Sequence, residues 1–124
     1  MHKSRLCAFV IDSSTDAATA AEFWSAALGR PVKPVENPQD RYRELTTDSD
    51  EPMLLVQAID HPARIHLDIE SDDLEAEVTR LEALGARRVG FVKRWWVMEA
   101  PTGQRFCVVN PQRGPLGDDA NEWP

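Results

Sequence analysis

An internal repeat is the feature of this chain that most constrains its fold. Leu28-Gly29 ends a helix-like stretch in AEFWSAALGRPV, and Leu84-Gly85 ends another in VTRLEALGARRV. Glycine directly after a helix is typical of a C-terminal cap, because it readily adopts the left-handed backbone conformation that ends the helix. The sequence therefore predicts two helices, each followed by a strand.

The first predicted helix runs from about Asp16 to Leu28. Its expected core face is alanine-rich and includes two aromatic residues: Ala20, Phe23, Trp24 and Ala27. The second is predicted to begin after Ser71 or Asp72 as the N-cap, with Glu75 as the acidic residue of a capping box. Its apolar residues recur at helical spacing.

Each helix is preceded by one predicted strand and followed by three. Period-two alternation of apolar and polar residues places the preceding strands at 5–12 and 64–71. Turn-rich stretches separate the later strands. These later strands are expected at 31–36, 42–47, 53–59, 87–92, 94–99 and 105–110. The chain is thus interpreted as two βαβββ modules, about 4–60 and about 64–110, with an irregular tail at 111–124.

One such module cannot cover both faces of its sheet, since its single helix packs on one face only. We therefore predict a single α+β domain, 1–124, in which curled mixed sheets of two βαβββ modules surround a shared cavity. Three residues of each first strand are expected to pack on a helix: Leu6, Ala8 and Val10 in one, and Ile65, Leu67 and Ile69 in the other. The alternate residues are expected to face the cavity: Cys7, Phe9, Ile11, His66, Asp68 and Glu70.

Charge and cysteine content exclude several classes of protein. The 124 residues carry a formal net charge of -7, which opposes binding to nucleic acid or to an anionic membrane. Cys7 and Cys107 each lie in an apolar strand-like run, which is typical of free thiols rather than of a disulfide framework. No signal peptide or membrane span is evident, so a cytoplasmic location is expected.

Three stretches of the sequence resemble the vicinal oxygen chelate superfamily, the group of glyoxalases, bleomycin-resistance proteins and extradiol dioxygenases. They are EFWSAALG, RIHLDIESDDLEAEVTRLEALGA and APTGQRFCVVNP. The resemblance covers residues 5–110 and is strongest to glyoxalase-like proteins of that superfamily. It implies the paired βαβββ fold and, together with the apolar edges of such modules, a homodimer.

The resemblance also indicates where a metal would bind. In metal-using members, ligands come from the first and last strands of each module, and these positions fall on Cys7, Leu55, His66 and Cys107. Only His66 is a ligand of the usual type, so we predict no cofactor and no standard metal site. A divalent metal held by Cys7, His66 and Cys107 is the alternative, because zinc accepts thiolate and imidazole together.

Six residues are predicted to contact a ligand in the cavity: His66, Cys7, Cys107, Asp68, Phe9 and Trp96. His66 and Asp68 are two apart on one strand, so they could act as acid and base on one ligand. Trp95 and Trp96 point to opposite faces of their strand, so only one of them can line the pocket, and the sequence leaves open which. Trp96 is taken as the candidate, since aromatic rings make good pocket walls. Glu70, near the strand end, is expected to be solvated.

The predicted function is binding of a small organic molecule in the cavity, with the reaction unknown. One alternative is sequestration of a drug or metabolite, as in bleomycin-resistance proteins; the charge of -7 and the tryptophans suit a cationic aromatic ligand. A second is an atypical metal-dependent lyase or isomerase, or a dioxygenase-like enzyme. A structural module with a vestigial cavity is the third. Four arginines could instead bind an anionic substrate: Arg41, Arg43, Arg94 and Arg105.

Overall fold

The computed structural model describes residues 1–124, which form two helices and eight strands in a mixed β-sheet. The elements are β1 (His2–Ser13), α1 (Ala17–Leu28), β2 (Tyr42–Leu45), β3 (Met53–Ala58), β4 (Arg64–Ser71), α2 (Leu74–Ala83), β5 (Arg87–Val92), β6 (Trp95–Glu99), β7 (Arg105–Val109) and β8 (Asn121–Trp123). The predicted α+β class is confirmed. Neither helix is long and apolar enough to cross a membrane. The chain divides into two compact units, residues 8–66 and residues 1–7 with 67–124.

In the unit of residues 8–66, the strand order is β2-β3-β1. The second half of β1 pairs in parallel with β3, from Ala8 opposite Met53 to Ser13 opposite Ala58. Helix α1 is capped by Asp16, whose carboxylate accepts a hydrogen bond from the Thr19 amide, and it ends at Gly29 with φ of 67°. That positive φ is the left-handed conformation predicted for this glycine.

Three sequence-based expectations for this unit are wrong. Residues 31–36 form no strand, and Val32 makes only an isolated bridge to Leu45. Ile11 packs with Ala20 of α1 and Val56 of β3, so it faces the helix instead of the opposite side. Phe23 is 62% exposed rather than part of the core face of α1, where Ala17, Ala20 and Ala21 are buried. The small residues of α1 let this helix lie close to the sheet.

In the second unit, the strand order is β4-β7-β6-β5, and the first half of β1 lies beside β4. Strands β4 and β7 are parallel, with Asp68 opposite Cys107. The core of this unit is the buried cluster of Val78, Leu81, Met98 and Val108, against which Ile69 packs. Ile69 therefore meets α2 as predicted, whereas Ile65 and Leu67, expected on the same helix, are exposed.

The N-cap of helix α2 lies two residues after Ser71 and one residue after Asp72, the two predicted caps. Asp73 is the N-cap, and its Oδ1 accepts a hydrogen bond from the Ala76 amide at 3.1 Å. This places Glu75 outside the capping-box position, and its carboxylate pairs with Arg88 instead. Ser71 does not cap the helix, because its hydroxyl donates to the Lys3 carbonyl of β1.

The tail is not wholly irregular, which corrects the prediction for 111–124. Strand β8 pairs antiparallel with the start of β1, with Trp123 opposite His2 and Asn121 opposite Ser4. The Trp123 indole donates a hydrogen bond to the Ser4 hydroxyl at 2.9 Å, and the Arg80 guanidinium of α2 lies 3.8 Å from the centre of the indole. These contacts hold the last strand between β1 and α2.

Candidate functional site

A histidine–carboxylate pair lies in the unit of residues 8–66. Asp12 ends the apolar run of β1, and His66 lies near the start of β4. The Nδ1 of His66 is 2.8 Å from Oδ2 of Asp12. An ionised carboxylate can only accept hydrogen bonds, so Nδ1 is the donor. In the neutral imidazole the lone pair is then on Nε2, which is the atom suited to accept a proton or a ligand hydrogen bond.

Asp12 is only 2% exposed and makes its contacts through one oxygen. Arg64 Nε is 3.5 Å from the same Oδ2 that His66 contacts. The other oxygen, Oδ1, is buried and has no hydrogen-bond partner. A carboxylate removed from water needs cationic or hydrogen-bonding partners, and here Arg64 and His66 supply them. The sequence analysis missed Asp12, although an acidic residue closing a buried apolar strand was a visible signal.

The second unit holds a fully buried carboxylate, Glu70, contrary to the prediction that it is solvated. Its Oε2 accepts a hydrogen bond from Arg5 Nε at 2.7 Å, and its Oε1 accepts one from the Gln112 amide at 2.9 Å. Arg5 also pairs with Asp119 of the tail. The charge of Arg5 and the Gln112 amide compensate for the loss of water around Glu70.

Cys7 is buried beside this carboxylate. Burial raises the pKa of the Cys7 thiol to about 12, and the negative charges of Glu70 and Asp68 contribute to the rise, while Arg113 opposes it. The side chain is 1% exposed. At neutral pH Cys7 is therefore a protonated thiol, the form that is neither a nucleophile nor a metal ligand.

Asp68 and Cys107 are neighbours across the β4–β7 pair. Their donor atoms lie within 4.8 Å of each other, and both side chains are half-buried. His66 precedes Asp68 by two residues on β4, so alternation along the strand puts both on one face. The structure thus places a carboxylate and a thiol together where the sequence analysis expected ligand contacts.

The two aromatic residues predicted to contact ligand have different surroundings. Phe9 on β1 is partly exposed, at 37%. Trp96 packs against the α2-facing core cluster, and its ring contacts Phe91 with centroids 5.2 Å apart while the Arg88 guanidinium lies 4.8 Å from its centre. The assignment of Trp96 to the face opposite α2 is therefore wrong, because Trp96 and Met98 share the helix-facing side of β6.

Three of the arginines considered as anion ligands are engaged with the protein itself. Arg43 is buried and donates to the carbonyls of a neighbouring loop, at Pro38, Asp40 and Tyr42. Arg105 pairs with Glu99. Arg41 Nε donates to the Ala58 carbonyl. These contacts fix loops and strand ends, which is a structural role.

Comparison with known proteins decides the family. The model of the glyoxalase-like domain matches residues 8–109, most of the chain. The chain belongs to the glyoxalase-like domain family. The structure thereby confirms the resemblance to the vicinal oxygen chelate superfamily, to which solved structures of this glyoxalase-like fold belong. A search among curated proteins finds no match.

Several solved structures share the fold of this glyoxalase-like protein. Methylmalonyl-CoA epimerase from Mycobacterium tuberculosis is 20% identical, with a TM-score of 0.60 over 86% of this chain and 87% of that one. A glyoxalase/bleomycin resistance protein/dioxygenase superfamily member from Vibrio splendidus 12B01 is 18% identical, with a TM-score of 0.54 over 85% and 98%. A hypothetical protein from Bacillus halodurans C-125 is 11% identical, with a TM-score of 0.62 over 92% and 99%. At these identities the likeness shows the fold alone.

The donor set of this glyoxalase-like protein does not fit the metal site that the resemblance implies. Of the four expected positions, Leu55 on β3 offers no donor atom. Cys7 holds its proton, since its pKa is about 12. His66 is the one ligand of the usual type, and its Nδ1 is taken by Asp12. His66 and the free Cys107 are the donors that remain, and two donors are fewer than the three protein ligands of an open zinc site.

Proposed function

We propose that this glyoxalase-like protein binds a small organic molecule through His66, without the metal set of metal-using relatives. One observation carries the proposal: the 2.8 Å hydrogen bond from His66 Nδ1 to the buried Asp12. That bond fixes the ring orientation and tautomer, and in our proposal Nε2 is the nitrogen that contacts the ligand. Burying a carboxylate with a histidine as a main partner lowers the stability of a fold. Such pairs are typical of sites where the other imidazole nitrogen binds a ligand or transfers a proton.

Two kinds of activity are consistent with such a pair. A non-catalytic binder would use Nε2 as a hydrogen-bond partner for its ligand and hold the molecule away from solution. An enzyme would use Nε2 as a general base, and Asp12 would stabilise the imidazolium that forms. The second candidate gains support from the relatives named methylmalonyl-CoA epimerase. Epimerisation at a carbon next to a carbonyl requires a proton to leave and return, which is the chemistry that a histidine–aspartate pair provides.

A screen of thermal stability tests the proposal. Wild-type protein, His66→Ala and the matched control His61→Ala are heated with a panel of small organic acids, amines and aromatic compounds. His61 is a half-buried histidine whose Nδ1 lies 3.0 Å from the adjacent Pro62 carbonyl oxygen, so it controls for loss of an imidazole. We expect at least one compound to raise the melting temperature of wild type and His61→Ala, and not that of His66→Ala.

Metal analysis of the purified protein separates the alternatives. Asp68 and Cys107 offer two donor atoms within 4.8 Å, and this observation keeps an atypical metal-dependent lyase or isomerase as the rival. Stoichiometric zinc, nickel or iron that is lost in Cys107→Ser would establish that rival. Sub-stoichiometric metal in wild type, with ligand binding intact after treatment with a chelator, is the result that the proposal expects.

We also propose that the protein is a homodimer. Large apolar side chains are exposed on several elements: Phe23, Ile65, Leu84 and Phe91 are each more than half exposed. Exposed apolar side chains of this number favour association. Sedimentation equilibrium should give a mass of about twice the 14.0 kDa chain, and a mass of one chain at all concentrations would refute the dimer.

A further inference from the structure

We infer that the ligand of the His66 site is a small organic anion and that Arg64 binds its carboxylate or phosphate group. This inference rests on the proposed function, because it assigns a ligand class to the same site. Arg64 is not among the residues that the sequence predicts to contact a ligand. Arg64 and His66 are two residues apart on β4 and both contact Oδ2 of Asp12, at 3.5 Å and 2.8 Å.

Arg64 is held at one edge of its guanidinium. Its Nε lies 3.5 Å from Oδ2 of Asp12, and the side chain is 47% exposed. Neither Nη group has a hydrogen-bond partner in the protein. The planar guanidinium presents its remaining N–H groups in a fixed fork that matches the two oxygens of a carboxylate or phosphate. Asp12 thus anchors the base of the guanidinium and leaves its outer edge available to a ligand.

The charges on this face of β4 favour an anion at Arg64. Arg64 and His66 share the buried carboxylate of Asp12, and Asp68 lies two residues beyond His66 on the same face, so the guanidinium of Arg64 is the cationic end of the group. A cationic group at the outer edge of that guanidinium would be repelled. An anion would pair with Arg64 while a neighbouring N–H or O–H group of the ligand donates a hydrogen bond to Nε2 of His66.

The net charge of -7 does not overturn this preference. At physiological ionic strength the screening length is about 8 Å, so acidic residues farther away act weakly on a bound ligand. Arg64 would contact the anion directly, where screening is small. The chain's net charge therefore slows the approach of an anion more than it weakens the bound state.

An ordinary surface ion pair between Arg64 and Asp12 is the alternative interpretation. Such a pair would account for the Nε contact and would make Arg64 irrelevant to ligands. The two interpretations differ in what small anions do at this position. Acetate, pyruvate and inorganic phosphate are therefore the probes, each titrated at constant ionic strength into wild type and variants by calorimetry.

The variants are Arg64→Gln, which removes the charge, and Arg41→Gln as the matched control. Arg41 is another exposed arginine of the same unit, and its Nε donates to a carbonyl oxygen. We expect wild type and Arg41→Gln to bind pyruvate or phosphate equally, and Arg64→Gln to bind about tenfold more weakly or worse, as for loss of a charge-assisted pair. His66→Ala should also bind phosphate more weakly, because the P–OH group of the bound phosphate loses Nε2 as its acceptor.

Two results would overturn the inference. Equal affinity of Arg64→Gln and wild type for every anion would show that Arg64 is an ordinary ion-pair residue. Binding only of neutral or cationic compounds, still abolished in His66→Ala, would refute the anion class and leave the proposed function standing. If the screened compounds bind and His66→Ala binds them as wild type does, the proposed function itself fails, which keeps the two failures distinct.

Discussion

Glu70 illustrates at the residue scale how the chain tolerates a charge in its interior. Its carboxylate is fully buried, yet each oxygen has a donor, from Arg5 on β1 and from the Gln112 amide in the tail. Removing the charge would leave Arg5 without its buried partner. A buried ion pair that loses one member is far more damaging than an exposed one.

We expect Glu70→Gln to lower the free energy of unfolding by about 2–3 kcal/mol, because a charged, hydrogen-bonded pair in the interior is broken. Urea denaturation monitored by tryptophan fluorescence gives the value. Glu75→Gln is the control, since that exposed carboxylate pairs with Arg88 on the surface and its loss should matter less. Equal effects of the two substitutions would contradict this account of Glu70.

Cys7 should be inert to alkylation. With a pKa of about 12, only about one molecule in ten thousand carries the thiolate at pH 8. In Cys107→Ser, iodoacetamide should modify Cys7 far more slowly than in the urea-unfolded protein, as followed by mass spectrometry. Adding Glu70→Gln should speed the reaction, because one of the charges that raise the Cys7 pKa is gone. Modification of native Cys7 at the unfolded rate would exclude a buried, protonated thiol.

At the scale of elements, the ends of the chain are joined by one carboxylate of α2. Glu77 is fully buried and accepts hydrogen bonds from His2 Nε2 at 2.8 Å and from Arg80 at 2.8 and 2.9 Å. The Arg80 guanidinium in turn makes a cation–π contact with Trp123, whose indole donates a hydrogen bond to the Ser4 hydroxyl. The first and last strands thus share a polar network centred on α2.

Because of this network, the stability of the folded protein should depend on the ionisation of Glu77 at acid pH. Burial alone would raise the pKa of Glu77, but the hydrogen bonds from Arg80, His2 and Ser4 outweigh it and hold the pKa below its usual value. A carboxyl with a lowered folded-state pKa contributes stability above its unfolded pKa, and that contribution is lost as the pH falls through the lowered value. We expect Glu77→Gln to melt lower at pH 7 and to lose less further stability between pH 5 and 3 than wild type. Glu122→Gln, on the exposed side of β8, is the control. If Glu77→Gln loses as much stability between pH 5 and 3 as wild type does, Glu77 is not the source of the acid sensitivity.

The local stability of strand β8 should depend on the side chain of Trp123. Trp123→Ala removes both the Ser4 hydrogen bond and the contact with Arg80, so the amides of residues 2–4 and 121–123 should exchange faster with deuterium. Trp123→Phe retains a ring for Arg80 and loses only the hydrogen bond, and we expect intermediate exchange. Protection unchanged in Trp123→Ala would mean that backbone pairing alone holds β8.

Across the whole molecule, local patterns predicted elements better than they predicted pairings. Strands 64–71 and 87–92 were predicted with the bounds that the structure has. Residues 31–36 were also predicted as a strand, but Pro31 and Pro34 lack the amide hydrogens that a strand ladder requires, so only the bridge at Val32 forms. Strand β8 went unpredicted because its three residues are held by Arg80 and Ser4, which are distant in sequence.

In the candidate site too, the sequence predicted single residues but not the contacts between residues distant in sequence. His66 was identified from its place at the start of the second repeat, whereas its partner Asp12 lies 54 residues away and could be paired with it only in three dimensions. Arg64 was not predicted to contact a ligand, and its contact with Asp12 is visible only in the structure. Whether a polar residue on a strand is buried or solvated, as for Glu70, depends on distant partners such as Arg5.

The central claim is that His66, oriented by Asp12, contacts the ligand. Nuclear magnetic resonance of ¹⁵N-labelled imidazole tests it most directly, with a compound that raises the melting temperature added to wild-type protein. The account expects His66 to carry a proton on Nδ1 in the free protein, and a large change in the Nε2 signal on saturation, absent for His61. A bound compound that leaves both nitrogen signals of His66 unchanged would contradict the account.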